Sequence, residues 1–227
     1  MTKLIFPSEY SLGKLVIYND WRGKAREVPN AQGAIQIAEN DRVILTVNEE
    51  TCYRMERLRE IKPNILHGVS IYELEMQWSD LSELSRLSGL ELVGLYKVRV
   101  SPAQLQQLAG LSGLRFLHLN FVKLLPSLGW MNKMHRLEIL GLGFSDIGDM
   151  ELQTLPPLEI STLMVYGTRV SDQSIAKLAS LQSLTWLDVS ETRMTEEGRS
   201  RLAELLPNCR IRDDGGVRRS GKIRSSA

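Results

Sequence analysis

Apolar residues recur along the chain in blocks of one form: apolar, two other residues, apolar, one other residue, apolar. The alternating pair that ends a block, such as Leu117 and Leu119, predicts a half-buried strand. Apolar residues spaced by three follow most blocks and predict a short helix with one buried face. Each turn is therefore expected to contain a strand and a short helix, and a repeat of this period indicates a solenoid. Six blocks begin 23 or 24 residues apart, at Leu66, Leu90, Leu114, Leu137, Ile160 and Leu184.

Two turns carry a further signature between the strand and the helix. They read Tyr166-Gly167-Thr168-Arg169-Val170-Ser171-Asp172 and Ser190-Glu191-Thr192-Arg193-Met194-Thr195. With the repeat, these residues make the region 42–211 resemble the leucine-rich repeat family, in particular intracellular, helix-backed bacterial arrays with Thr-x-Val-Ser/Thr-Asp turns. The resemblance implies an α/β solenoid, namely a leucine-rich repeat horseshoe with a parallel concave β-sheet and short helices on the convex side.

The limits of the repeat divide the chain into three regions. Residues 1–41 alternate between short apolar runs and turn-rich stretches, which predicts an N-terminal β-hairpin cap. Residues 42–211 comprise an amphipathic first turn, six full turns of 23–24 residues and a C-terminal remnant. Residues 212–227 are rich in basic side chains, and we expect a disordered tail. The segment 124–128 lacks a helix-capping residue, which predicts a distorted helix in its turn.

The strand residues between the core positions are expected to line the concave face, because side chains alternate along a strand. These positions are unusually apolar, and glycines at 94, 141, 143 and 167 would let a partner approach the backbone. A contiguous apolar patch rich in aromatic residues and Met indicates a binding site for a partner protein or peptide. The candidate contact residues are Tyr72, Leu92, Tyr96, Phe116, Phe121, Ile139, Phe144, Met164, Tyr166 and Trp186, with His118, Asn120 and Asp188 as polar members.

A purely structural interpretation of this patch also stands. Phe121 and Phe144 could tuck into the upper part of their turns, and apolar residues of neighbouring strands could pair for stability. A sealed face formed by self-association is a further alternative.

The residues that carry chemistry are scattered. His118 is the histidine expected on the concave face, and the nearest acid there, Asp188, lies three strands away, about 14–15 Å. A catalytic base and its orienting acid must lie within about 3 Å. Cys52 and Cys209 lack metal-ligand spacing, and no phosphate-loop motif is present. We therefore expect no catalytic residues, no metal site and no cofactor, and we expect the protein not to be an enzyme.

The composition narrows the class and the location. A net charge of +1, with 43% hydrophobic and 24% charged residues, is typical of a globular chain. It excludes a strongly basic nucleic-acid binder and an acidic disordered chain as descriptions of the whole sequence. No run of 18 apolar residues and no signal-peptide pattern is present, so no membrane association is expected. Two cysteines make no disulfide framework, which favours a cytoplasmic location.

The favoured hypothesis is a non-catalytic protein-protein interaction module that acts as an adaptor, recognition or scaffold subunit. One alternative is a non-catalytic or regulatory subunit of an enzyme complex. Another is a nucleic-acid-associated accessory that uses a weak contact from the tail, although no aromatic residue there could stack on a base. The tail residues concerned are Arg218, Arg219, Lys222 and Arg224.

Overall fold

The computed structural model of the chain describes residues 2–19, 21, 23–72, 81–123 and 127–218. The chain divides into two compact units, Met1–Leu114 and Arg115–Ala227. They are called the N-terminal unit and the C-terminal unit below. None of the helices in the described ranges has the length and apolarity that a bilayer span requires.

The N-terminal unit begins with antiparallel strands rather than with a single hairpin. Strands β1 (Thr2–Ile5) and β4 (Ala34–Ile37) pair in a two-stranded sheet of their own. Strand β2 (Gly13–Tyr18) lies between β3 (Ala25–Val28) and β5 (Arg42–Val47) and is antiparallel to both. The cap therefore has more strands than the sequence suggests, and it joins the repeat directly through β5.

Parallel pairing in this unit starts at β5. Strand β6 (Gly68–Tyr72) pairs with β5, and β7 (Leu92–Tyr96) pairs with β6. Each step of the register is 24 residues, so that equivalent apolar residues of successive turns lie side by side in the core. The helical segments are α1 (Glu49–Tyr53), α2 (Ser82–Ser85) and α3 (Pro102–Gln107), with 3₁₀ helices at Met55–Glu60 and Leu108–Gly110.

The C-terminal unit continues the same pattern more regularly. Its parallel strands are β8 (Phe116–Asn120), β9 (Ile139–Gly141), β10 (Thr162–Met164), β11 (Trp186–Asp188) and β12 (Arg210–Asp213). Its helices are α4 (Asp149–Gln153), α5 (Ile175–Ser180) and α6 (Glu196–Leu205), with 3₁₀ helices at Gly129–Lys133 and Asp172–Ser174. The fully buried core positions of adjacent strands lie opposite one another: Leu117, Leu140, Leu163, Leu187 and Ile211.

The fold class predicted from the repeat is confirmed, because both units show the leucine-rich repeat architecture of parallel strands and short helices. In the turn that begins at Leu114, the helix is a 3₁₀ segment, as expected for a turn without a capping residue. The chain departs from the predicted disordered tail between residues 212 and 218. There β12 turns back into β13 (Gly216–Arg218), which pairs with it in antiparallel fashion. Residues 219–227, with Arg219, Lys222 and Arg224, lie outside the described residues.

The Thr-x-Val-Ser/Thr-Asp signature has a specific structural role in the C-terminal unit. The Thr168 hydroxyl donates to the Val165 carbonyl oxygen (2.5 Å), which closes the connection after the strand. The Asp172 carboxylate accepts hydrogen bonds from the amide and hydroxyl of Thr195 in the next turn, at 2.9 and 2.6 Å. Asp149 accepts the equivalent pair from Ser171, at 2.9 and 2.6 Å. Each acid thus links the turn in which it lies to the residue that begins the helical segment of the next turn.

Candidate binding face

The sheet face is defined here, for the C-terminal unit, as the strand side chains that alternate with the buried core residues. The parallel register places these side chains in two straight rows across β8–β12. The first row runs Phe116, Ile139, Thr162, Trp186 and Arg210, and the second runs His118, Gly141, Met164, Asp188 and Arg212. All four apolar members are half-buried, so each presents part of its side chain to solvent.

An aromatic edge, defined as Phe121, Phe144 and Tyr166, borders the sheet face just beyond the strands. The Phe121 and Phe144 rings stack with their centroids 4.6 Å apart, and Tyr166 meets Phe144 edge-on at 5.3 Å. Phe121 remains 41% exposed and Phe144 39% exposed. The two phenylalanines therefore pack on each other, but they are not sealed inside their turns.

Unusual backbone geometry holds these two rings in place. Phe121 (φ 57°) and Phe144 (φ 54°) both lie in the left-handed region, which costs a residue other than glycine about 1–2 kcal/mol. Their amides donate to the carbonyl oxygens of Gly143 and Tyr166 in the next turn, both at 2.8 Å. These hydrogen bonds and the ring stack together keep the conformation in place.

The glycines of this region do not make room for a partner, in contrast to the expectation from sequence. A Cβ on Gly143 would lie 2.3 Å from the Tyr166 ring, and a Cβ on Gly167 would lie 2.3 Å from the Phe144 ring. The His118 ring occupies the equivalent space over Gly141. The missing side chains therefore accommodate the protein's own rings.

Two of the three predicted polar members are buried and hold the backbone. Asn120, 8% exposed, accepts from the Gly143 amide through its Oδ1 at 2.9 Å. Asp188, 4% exposed, accepts from the amide and hydroxyl of Ser190, and its other oxygen lies 3.6 Å from Arg212 Nη1. The sequence predicts that both side chains contact a partner. In the structure, neither is exposed enough to give specificity to a surface contact.

The third polar member, His118, is half-buried on the second row. Burial lowers the pKa of His118, so the imidazole is neutral at neutral pH. Burial and the nearby Asp188 raise the pKa of Tyr166, which keeps its phenol protonated. His118 and Tyr166 therefore present uncharged, hydrogen-bonding groups beside the apolar side chains.

The geometry brings no acid-base pair together at this face. His118 and Asp188 are separated by Gly141 and Met164 along their row, which is three strand spacings or about 14 Å. Within the described ranges, His, Cys, Asp and Glu side chains form no group that could hold a metal ion. Cys52 and Cys209 are buried free thiols, and burial raises the pKa of Cys209 to about 11.

The N-terminal unit has a smaller aromatic pair of its own. Tyr72 and Tyr96 stack with their centroids 4.6 Å apart, and Tyr72 is 47% exposed. The Tyr96 ring covers Gly94, where a Cβ would lie 2.5 Å from it. Leu92 is half-buried and lies opposite Gly68 in the register.

Arg210 and Arg212 fall in the predicted C-terminal remnant and tail rather than on the predicted concave face. Both are exposed on β12, where they pair in register with Trp186 and Asp188. The signal that could have found them is their spacing, because each lies 24 residues after a predicted face residue.

No family model matches the chain, and no curated protein matches it. Solved structures of leucine-rich repeat proteins do match. An internalin (inlF) of Listeria monocytogenes is 17% identical with a TM-score of 0.43, covering 69% of this chain and 56% of its own. A Leptospira interrogans leucine-rich repeat protein is 20% identical with a TM-score of 0.49, covering 68% and 38%. An internalin C2 of Listeria monocytogenes is 18% identical with a TM-score of 0.48, covering 81% and 86%. This chain thus spans about half or less of the first two proteins, and these likenesses concern the fold alone.

Proposed function

We propose that this chain is a non-catalytic protein-interaction module that binds a partner protein or peptide on the sheet face and aromatic edge of the C-terminal unit. The observation that carries the proposal is the aromatic edge itself. Two stacked phenylalanine rings, each about 40% exposed, border in-register rows of half-buried apolar side chains. A contiguous apolar patch of this kind is typical of an interaction site.

The energetics of the edge support the proposal. The left-handed conformation of Phe121 and Phe144 recurs at the equivalent positions Lys97, Gly167 and Glu191, so the repeat itself holds the two rings at the edge. Burying a large apolar side chain against a partner is worth about 1.5–3 kcal/mol. Because stacking already restricts both rings, little rotamer freedom is lost when a partner covers them.

The proposed contact set differs from the one predicted from sequence. Asn120 and Asp188 are left out because both are buried and their Oδ1 atoms accept hydrogen bonds from within the fold. Tyr72, Leu92 and Tyr96 of the N-terminal unit stay predicted contacts. The adaptor or scaffold role and the cytoplasmic, bacterial setting also stay predictions. The set carried forward is Phe116, His118, Phe121, Ile139, Phe144, Met164, Tyr166 and Trp186.

A selection from a random peptide library tests this function. The change is the double variant Phe121→Asn/Phe144→Asn, which removes both rings. Asparagine tolerates the left-handed conformation, so the backbone of each turn should be retained. Peptides selected on the wild-type chain are expected to bind the double variant at least about tenfold more weakly, as measured by fluorescence anisotropy.

The matched control is Met150→Ser/Leu205→Ser, which removes two other exposed apolar side chains of the same unit (81% and 41% exposed). This control should bind the selected peptides as the wild-type chain does. The proposal is contradicted if the Asn double variant binds the selected peptides as tightly as the wild-type chain does. It is also contradicted if no peptide is enriched on the wild-type chain relative to that variant. Circular dichroism and the melting temperature confirm that each variant is folded.

A further inference from the structure

A row of charged side chains lies just outside the aromatic edge. The basic row is defined as Lys123, Arg169 and Arg193, with Asp146 in the intervening turn. The amide of Asp146 donates to the Val122 carbonyl oxygen (3.4 Å), which places it beside the turn of Lys123. The amides of Arg169 and Arg193 donate to the preceding turns in the same way, at 3.0 and 2.9 Å. Consecutive turns therefore present these four residues side by side.

Each member of the row follows the edge position by two residues, which is about 6–7 Å along an extended chain. Lys123 follows Phe121, and Asp146 follows Phe144. The three basic side chains are exposed, whereas Asp146 is half-buried. Lys123 thus lies two residues from the exposed Phe121 ring, whereas Arg169 follows Gly167 and donates to the Asp146 carbonyl oxygen, and Arg193 follows Glu191.

The charges of the described C-terminal unit are segregated. Arg210 and Arg212 add two exposed cations to the sheet face, although Arg212 lies 3.6 Å from the buried Asp188, and Glu191 and Asp214 are exposed acids at that end of the unit. The helical segments carry the opposite sign, with six acids against four basic residues. The acids are Asp149, Glu151, Asp172, Glu196, Glu197 and Glu204, and the basic residues are Lys133, Lys177, Arg199 and Arg201.

We infer that the partner bound at this face is an acidic polypeptide segment, whose carboxylates lie on the basic row while its apolar side chains cover the aromatic edge. This inference rests on the proposed function. Lys123 and Arg193 are three turns apart, about 14 Å, which four or five extended residues span. Complementary charge beside an apolar patch sets orientation and raises the association rate.

The stacked rings favour a polypeptide over a nucleic acid. Single-stranded nucleic acids bind by stacking their bases on aromatic faces. The Phe121 and Phe144 rings already stack on each other at 4.6 Å, so no base can enter between them, and Tyr166 occupies another side of Phe144.

The test uses two labelled peptides and one oligonucleotide with the full chain. The peptides are two repeats of Glu-Phe-Ser-Glu-Leu-Gly and the same sequence with Lys in place of Glu, and the oligonucleotide is oligo-dT of twelve nucleotides. Fluorescence anisotropy is measured at 50 and 300 mM salt. We expect the acidic peptide to bind at least about tenfold more tightly than the basic one at low salt, with the difference shrinking at high salt.

The variant Lys123→Glu/Arg169→Glu/Arg193→Glu should abolish or reverse the preference for the acidic peptide. The control Lys133→Glu/Arg136→Glu/Arg201→Glu changes the same net charge at other exposed positions and should keep it. Equal binding of both peptides, or no binding of the acidic one, overturns the inference. Tighter, charge-dependent binding of oligo-dT also overturns it, in favour of a nucleic acid.

The Phe121→Asn/Phe144→Asn variant separates this inference from the proposed function. If it weakens both peptides equally while the charge-reversed variant has no effect, the binding face stands and the acidic partner is wrong. If it weakens neither peptide, the proposed function itself fails.

Discussion

The two units differ in one kind of polar contact between successive turns. In the N-terminal unit, charged side chains pair across turns: Arg59 contacts Glu83 at 2.5 Å, and Arg42 lies 3.7 Å from Glu91. In the C-terminal unit, Asp149 and Asp172 accept hydrogen bonds from both the backbone amide and the hydroxyl that begin the next helical segment. Ion pairs between turns also occur in the C-terminal unit, where Arg115 lies 2.7 Å from Glu138, so the difference lies in the additional contacts from a carboxylate to the backbone of the next turn.

This difference bears on function because the two kinds of contact fix different things. An ion pair between two side chains leaves the backbone free to adjust, both where its acid is buried, as Glu83 is, and where it is half-buried, as Glu91 is. A carboxylate that accepts two hydrogen bonds from one residue, including one from the backbone, sets the position of the next turn. The unit that carries the candidate binding face is the one whose turns are fixed in this way, which suits a preorganised surface.

The largest expected effect concerns the antiparallel cap of the N-terminal unit. Gly13→Ala should lower the free energy of unfolding by about 3 kcal/mol, measured by urea denaturation. A Cβ at this position would lie 2.0 Å from the Thr46 carbonyl oxygen, and φ is 142°. Because both groups are backbone in the β2–β5 pair, neither can move without breaking that pair.

Gly33→Ala is the matched control in the same cap. Gly33 has a φ of 65°, but no atom lies within 4 Å of a built Cβ. Its cost should be limited to the conformational strain of about 1–2 kcal/mol. Equal losses in the two variants would mean that backbone conformation, and not the close approach of β2 to β5, limits Gly13.

A smaller effect tests the carboxylate contacts of the C-terminal unit. Gly198→Ala should cost about 2 kcal/mol, although alanine normally favours a helix interior by about 1 kcal/mol. A Cβ on Gly198 would lie 2.0 Å from Asp172 Oδ1, and moving that carboxylate would break its two hydrogen bonds to Thr195. Chemical denaturation gives the change in unfolding free energy.

The double-mutant cycle with Asp172→Ala separates the clash from other effects. Once the carboxylate is removed, Gly198→Ala should become neutral or stabilising. If Gly198→Ala remains as costly in the Asp172→Ala background, the carboxylate is not what limits this position.

The repeat was predictable from sequence because it depends on local periodicity. The spacing of Leu117, Leu140 and Leu163 determines which residues lie opposite one another, and the register follows it. The C-terminal hairpin was not predictable in this way. Its Asp214 carboxylate accepts from the Glu191 amide at 2.6 Å, where the equivalent amides of earlier turns use a carbonyl oxygen of the next turn. Here a side-chain carboxylate replaces the carbonyl oxygen that a further turn of the repeat would supply. Because this contact occurs once, the periodicity of the sequence does not reveal it.

Side-chain alternation along the strands predicts which residues lie on the candidate face, but not how their polar atoms are oriented. Alternation correctly places Phe116, Ile139 and Trp186 on one row. It cannot show that Asn120 and Asp188 turn their polar atoms towards the backbone, because that depends on the small neighbours Gly143 and Ser190. Alternation also cannot show that rings of the chain itself cover the glycines, which the sequence predicts as points of close approach for a partner.

The smallest expected effects are losses of stability in acid, in a different pH range for each unit. In the N-terminal unit, His67 accepts from the Val43 amide through Nδ1 at 3.2 Å, and burial and Arg42 lower its pKa. In the C-terminal unit, burial raises the pKa of Asp149, but hydrogen bonds from Ser171 and Ser174 outweigh this and hold the pKa below its usual range. Both folded groups therefore release protons more readily than their unfolded counterparts.

A lowered pKa in the folded state stabilises the fold above the unfolded pKa, and this contribution is lost as the pH falls through the folded value. The loss should begin below about 6.5 for His67 and below about 3.9 for Asp149. His67→Asn keeps an acceptor for the Val43 amide without titrating, so its unfolding free energy should vary less between pH 7 and pH 5. Asp149→Asn should flatten the curve below pH 4 instead. Urea denaturation at each pH measures both slopes, and an unchanged slope between pH 7 and pH 5 in His67→Asn would show that His67 does not couple the N-terminal unit to protons.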